Sequence, residues 1–446
     1  MSAILEKNTS PLWQRRHMLA LPWAALLGAA PWAKAAQADS PQNNGRFVLV
    51  FLRGAMDGLS AFVPFADPSY KPLRPSIAIP APDGTDTTAL ALDATFGMHP
   101  ALAPLWPLWQ RGDLTFVPAA GLPSPNRSHF DAQHLWETGQ TLGHQAGQGW
   151  LNGLAQAEAP SFRVENTLAQ ALGVGESSPE ILRGKAPVKL VPQGNAALRA
   201  GAVASDHTRN TLQALYASDP QLAEAFAQGA SSRIETAQQL SQASADRAAG
   251  MATGMNSEMR AADNGAGNVA GLALDAQHLD TLMNSNPQLR IGFLSAGGWD
   301  THAGQGGVKG PLANSLGKLA QALIALRRGF SRPNDVVVVV SEFGRTCAEN
   351  GTGGTDHGFG NAMMLMGDRV NGGRWHGRWE GLAPDRINEN RDLPAFHDFR
   401  AVLSTVLRTT QGATDAQLSA IFPGNPFAGS ALFEGDNRAL RELMRA

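Results

Sequence analysis

The strongest constraint on the fold is a set of near-continuous apolar runs, each cut off by a polar cluster. Residues 335–341 (DVVVVVS) hold five consecutive valines, residues 46–52 read RFVLVFL, and residues 289–295 read LRIGFLS. β-Branched and aromatic side chains without polar alternation fit strands buried on both faces, as in a parallel sheet covered by helices. Residues 113–118 (DLTFVP) and 361–366 (NAMMLM) add two further strands. Helical stretches fall at 127–137, 311–328 and 397–408, and residues 99–110, interrupted by Pro104 and Pro107, read as a short broken helix. Strands alternating with helices predict an α/β fold, a mostly parallel central sheet flanked by helices.

The middle of the chain is different. Residues 206–285 are rich in Ala, Gln, Ser and Asp, with helical spacing at Leu212, Leu215, Leu222 and Phe226. Residues 250–271 are rich in Gly, Ala and Asn. The expectation is a helical insertion or cap with a loose linker inside one domain.

The amino terminus reads as an export address. Arg15 and Arg16 precede a modestly apolar run at 19–32, broken by Pro22 and Pro31, and Ala36-Gln37-Ala38 supplies a small-x-small cleavage pattern. A paired arginine before such a run predicts the twin-arginine route, with residues 1–38 as signal and 39–446 as a single periplasmic or secreted domain. The partner this implies is the twin-arginine export machinery. The run is too short for a stable membrane span after cleavage, and no later stretch is long and apolar enough. A net charge of −2 gives no support to nucleic-acid binding. The one cysteine, Cys347, excludes an internal disulfide framework and a multi-cysteine metal site.

Three predicted strands end in groups able to carry chemistry: Asp57, then Asp300 with His302, then Glu342 with Arg345. Asp356 and His357 lie in a glycine-rich loop (GTGGTDHGFG), and Ser128, His129 and Asp131 open a helix. If the sheet is parallel, these groups converge at the carboxyl ends of its strands, where ligands gather in open α/β sheets. Carboxylate oxygen and imidazole nitrogen suit zinc, manganese or a similar divalent ion, and without cysteine ligands an open catalytic site is the natural form. Plainer roles stand beside these: Asp57 shaping a turn, Ser128 capping its helix, Glu342 pairing with Arg345. His99, His134, His144, His376 and His397 read as surface or packing residues. P-loop, G-x-S-x-G and H-E-x-x-H patterns are absent.

Taken together, the double arginine, LRGAMDGLS, NRSHFDAQHLWETG, GGWDTH, SEFGRT and GTDHG resemble the domain of unknown function 1501 family of exported bacterial proteins, over residues 46–408. That family is in turn similar to the alkaline phosphatase and sulfatase superfamily, which hydrolyses phosphate or sulfate esters at a metal site. The resemblance implies an alkaline phosphatase-like fold, with Ser128 as nucleophile and Asp57, Asp300, His302, Glu342 and His357 as metal ligands. Where the superfamily has adjacent Asp-His, Glu342 is followed by Phe343. A second metal would therefore lose a nitrogen ligand, and Arg345 and Arg127 are expected to stabilise the negative charge of a small anionic ester. A non-catalytic envelope scaffold or binding protein on the same fold is the alternative.

Overall fold

A computed structural model describes residues 45–140, 147–158, 169–244, 262–424, 432 and 434–445. The expected export signal at residues 1–38 and His144 lie outside the described residues. Eight strands form one sheet: β1 (Phe47–Leu52), β2 (Leu114–Gly121), β3 (Ala171–Gly175), β4 (Val188–Pro192), β5 (Ile291–Ala296), β6 (Val336–Val340), β7 (Asn361–Gly367) and β8 (His397–Asp398). Their spatial order is β8-β2-β7-β6-β1-β5-β3-β4. Only β7 runs against the rest, pairing antiparallel with both β6 and β2. The sheet is therefore mostly parallel, as the apolar runs predict, with one reversed strand.

The α-helices of seven or more residues among the described residues are α1 (His129–Thr138), α2 (Trp150–Glu158), α3 (Asp206–Tyr216), α4 (Pro220–Ser244), α5 (Leu272–Ser285), α6 (Pro311–Gly329), α7 (Phe399–Gln411) and α8 (Asp415–Ile421). Alternate residues of a strand face opposite sides, and the two sides here have different coverings. Val48, Val50 and Leu52 pack with Leu279 of α5 and Leu316 and Leu323 of α6. Phe47, Leu49 and Phe51 pack with Trp136 of α1, Trp150 of α2 and Val402 of α7. All five valines of β6 are buried, each contributing roughly 1.5–3 kcal/mol of transfer free energy. This two-sided burial explains why the strongest strand lacks polar alternation.

Two sequence expectations change. The expected insertion at 206–285 separates into unlike parts. α3 and most of α4 form an exposed hairpin, whereas α5 buries Leu272, Ala276, Leu279, Leu282 and Met283 beneath the sheet. The strands β3 (ALGVG) and β4 (VKLVP) have no counterpart in the sequence reading, because two glycines in one and a lysine and a proline in the other break their apolar runs.

Register decides what meets. Leu52 aligns with Ala296 and Phe51 with Val340, so β1, β5 and β6 end side by side. The segments that follow them, 53–57, 297–302 and 341–345, emerge next to one another. β7 is reversed, so its amino end lies at this same edge and brings His357 with it. α1, reached from the carboxyl end of β2, completes the gathering.

Candidate metal centre

His129 is the first residue of α1. Ser128 before it has extended backbone, and its Oγ accepts the Asp131 N–H at 3.4 Å, the N-cap arrangement. From this position His129 Nε2 lies 3.0 Å from His357 Nε2 and 3.5 Å from Asp300 Oδ2. His302 Nε2 lies 2.9 Å from His357 Nε2 and 3.1 Å from Asp300 Oδ1. One ligand atom from each of His129, Asp300 and His357 falls within 4.8 Å of the other two, and His302 Nε2 lies against the same Asp300 and His357.

The opposite side of each ring fixes its tautomer. His129 Nδ1 is 2.8 Å from Glu342 Oε1, His302 Nδ1 is 3.0 Å from Asp356 Oδ1, and His357 Nδ1 is 2.9 Å from the Arg127 carbonyl. A carbonyl can only accept. The two carboxyls are also held ionised: burial pushes each upward, but hydrogen bonds from His129 and Gln133 to Glu342, and from Asn350 and His302 to Asp356, bring both below the usual range. Each Nδ1 must therefore donate, which leaves the Nε2 lone pairs of the neutral rings facing one another. Lone pairs at 2.9–3.0 Å repel unless a proton or cation sits among them. Histidines anchored through the far nitrogen to a carboxylate or carbonyl are the usual supporting arrangement around a bound metal. Nitrogen ligands ~2.0–2.1 Å from a zinc ion stand roughly 3–3.4 Å apart, so this donor set fits a divalent cation with little movement.

Without a cation, a proton takes its place. Burial disfavours charge on His129, but its hydrogen bonds with Asp300 and Glu342 outweigh that and lift it to about 9. Burial likewise disfavours charge on Asp300, yet His129, His357 and the Arg345 guanidinium hold it far below the carboxylate range. Metal and proton would compete for the same lone pairs.

Glu342 stands behind the cluster. Its oxygens accept the Gly54 and Ala55 N–H groups at 2.8 and 3.2 Å, Gln133 Nε2 at 2.9 Å and the Ser341 hydroxyl at 3.1 Å, besides His129. Gly54 has φ +108°, and a Cβ there would come within 2.7 Å of the Asp300 nitrogen, so this anion-cradling turn requires glycine. With five donors on two oxygens, Glu342 orients His129; it is not a free ligand as the resemblance implies. Its expected partner Arg345 turns elsewhere. That guanidinium is fully buried, donating to the carbonyls of Gly54, Ala55, Trp299 and Thr355 and to Asp300 Oδ1 at 2.5 Å. It is spent on protein oxygens, and holding Asp300 replaces the expected contact with substrate.

Asp57 also differs from the ligand that the resemblance implies. Its two oxygens meet Arg74 at 2.6 and 3.1 Å and also receive Ser60 Oγ and Gln305 Nε2, so they form a closed buried ion pair with no imidazole in it. The Arg127 side chain reaches Glu389 and Asp392 at 2.8 and 2.9 Å, and only its carbonyl serves the centre. Of the predicted residues, Asp300, His302 and His357 come together, and Ser128 stands next to His129 in the chain. His129, which the sequence offers within the Ser128–His129–Asp131 group, supplies a third imidazole to the cluster. His99, His376 and His397 are buried in backbone and side-chain contacts, and His134 pairs with Glu180 on the surface.

No helix among the described residues is long and apolar enough to cross a membrane. Comparison with curated proteins finds no match. The family model described as "Protein of unknown function (DUF1501)" matches residues 44–417, which span every strand and helix around the centre. The chain belongs to the DUF1501 family.

Proposed function

We propose that the chain is an exported, metal-dependent hydrolase of phosphate or sulfate monoesters on an alkaline phosphatase-like fold, with one divalent cation held by His129, Asp300, His302 and His357. The support is the set of three imidazoles, each tied back through Nδ1, with the Nε2 atoms of His129 and His302 both facing that of His357. Zinc, manganese or a similar ion bound there supplies Lewis acidity toward an anionic ester oxygen. Asp57 and Glu342 are occupied by Arg74 and by the Gly54–Ala55 turn, which favours a one-ion centre over a two-ion one.

Ser128 is exposed at the amino end of a ten-residue helix, where the dipole favours an anion. Its Oγ accepts only the Asp131 N–H and keeps its own proton free. Attack by Oγ on phosphorus or sulfur forms a seryl ester as the bond to the departing alkoxide breaks. The serine proton balances that alkoxide, and water then splits the seryl ester. Arg345 holds Asp300 in place, and the Arg127 carbonyl holds His357.

The test is metal analysis of the mature protein, followed by assays on aryl phosphates and aryl sulfates. The expectation is one metal per chain and turnover, with metal lost in His357→Ala and turnover reduced by at least about 10³-fold in Ser128→Ala. Unchanged turnover in Ser128→Ala removes the nucleophile. A protein that takes up no divalent ion and turns over neither ester class is instead an envelope scaffold.

A further inference from the structure

Two of the three imidazoles rest on carboxylates, Glu342 and Asp356, but His357 rests on a backbone carbonyl, that of Arg127. Where that carbonyl stands depends on what holds its loop. In the preceding residues Pro123 and Pro125 have no N–H, and the Ser128 N–H is used locally, by Asn126 Oδ1 at 2.9 Å. The Arg127 side chain supplies a tie to a distant part of the chain. Its Nη2 donates to Glu389 Oε2 at 2.8 Å and to Asp392 Oδ2 at 2.9 Å.

The two carboxylates are unequal. The Glu389 side chain is mostly exposed, and ion pairs of that kind contribute little, whereas the Asp392 side chain is fully buried. Arg391 also reaches Asp392 Oδ2, at 3.1 Å, and Asn388 Nδ2 donates to its Oδ1 at 2.8 Å. The turn that presents them is tight: the Arg391 N–H meets the Asn388 carbonyl at 2.9 Å, and Glu389 and Asn390 between them both have φ +52°. Consecutive left-handed residues with side chains are uncommon and persist where surrounding contacts hold them. Here the turn is docked beside the centre, by the antiparallel bridge of Thr346 with Asp392 and by the Cys347 N–H on the Arg391 carbonyl at 2.9 Å. Thr346 in turn donates its N–H to the Asp356 carbonyl at 2.9 Å, and its Oγ1 accepts the Asp356 N–H at 3.0 Å. Asp392 is thus fixed to the frame that carries Asp356 and His357.

We propose, on the reading of the centre as a cation site, that Asp392 is a positioning residue for it: it clamps the Arg127 guanidinium and so holds the Arg127 carbonyl against His357 Nδ1. Releasing the clamp lets the carbonyl drift and the ring turn, and His357 Nε2 loses its fixed aim at the cation.

Zinc affinity, measured by chelator competition on the mature wild type, Asp392→Asn and Arg127→Met, tests the clamp. Both variants are expected to bind zinc about 3–10-fold more weakly, less than the ~10–100-fold typical when a ligand's own hydrogen-bond partner is lost. The double variant should lose no more than the larger single loss, because the two residues act as one unit. The visible bands of cobalt-loaded protein should shift in both single variants. Arg74→Met serves as the control for a merely structural loss, which lowers Tm and leaves zinc affinity alone. Should Asp392→Asn fail to fold, Arg127→Met decides, since its position is partly exposed and Asp392 keeps Arg391 as partner. Zinc affinity within about twofold of wild type in Arg127→Met overturns the clamp, as do fully additive losses in the double variant. A wild type that takes up no zinc overturns the centre itself, and the clamp with it.

Discussion

Two polar clusters lie beyond the same strand ends, one buried and one partly open, and they are built on opposite principles. Around Asp57, every charge is answered: Arg74 binds the carboxylate through both terminal nitrogens and donates its remaining hydrogens to the Cys347 and Thr346 carbonyls and to Ser60. Around His357, the outer nitrogens are answered in the same way, but the inner ones converge on each other. A closed network holds a loop in place; a network closed on the outside and open on the inside holds a place for something else. Strand ends alone could not separate these cases, since Asp57 and Asp300 both follow apolar runs.

The contrast can be broken most forcefully at Arg74. Arg74→Met leaves Asp57 buried and unpaired and should cost about 3–5 kcal/mol, read as a lower denaturation midpoint, while the folded fraction keeps its metal affinity. Adding Asp57→Asn should recover most of the loss.

Next comes the pH response of chelated protein. His129 has its folded value raised to about 9, so its contribution is complete below its unfolded value near 6.5 and disappears as pH rises through 9. Asp300 and Glu342 have depressed values, so their contribution holds above the ordinary carboxylate range and fades as pH falls below it. The share of stability that depends on this centre should therefore be largest at about pH 5–6.5 and fall by up to about 3 kcal/mol by pH 9, measured as the difference between chelated wild type and chelated His129→Gln in urea denaturation across that range. Stabilisation by added zinc should grow over the same interval; a flat response would place the proton elsewhere.

Glu342→Gln sharpens the comparison further. It keeps the shape behind His129 but replaces an acceptor-only carboxylate, so zinc affinity should fall about 10–100-fold by competition titration. The smallest effect is expected at Ser128: losing the cap in Ser128→Ala should lower stability by about 1 kcal/mol, whatever happens to turnover.

Much of this molecule is legible along the chain, and the rest fails for identifiable reasons. The five strands with long apolar runs stand out because burial on both faces leaves an unbroken signal. That signal has no direction, so the reversal of β7 cannot be read from NAMMLMG. Asp300, His302 and His357 follow or precede such runs and were recognisable by chemistry. His129 was harder, because a histidine one position inside a helix looks like part of its cap. The partners of Arg74 and Arg345 are set by tertiary contacts that leave no local pattern: Arg345 donates to the Gly54 and Ala55 carbonyls that follow the neighbouring strand β1.

The reversed strand has one more consequence. His357 enters the centre only four residues before β7 begins, so that strand's alignment sets how far the third imidazole reaches. Its ladder with β2 slips between Asn361 and Met363, and such an irregularity lets one strand gain or lose a residue against its neighbour without turning its buried face outward. A register slip of this kind can absorb a small change in loop length ahead of β7, while the pairing of Met364 with Val339 keeps the rest of the strand aligned with β6.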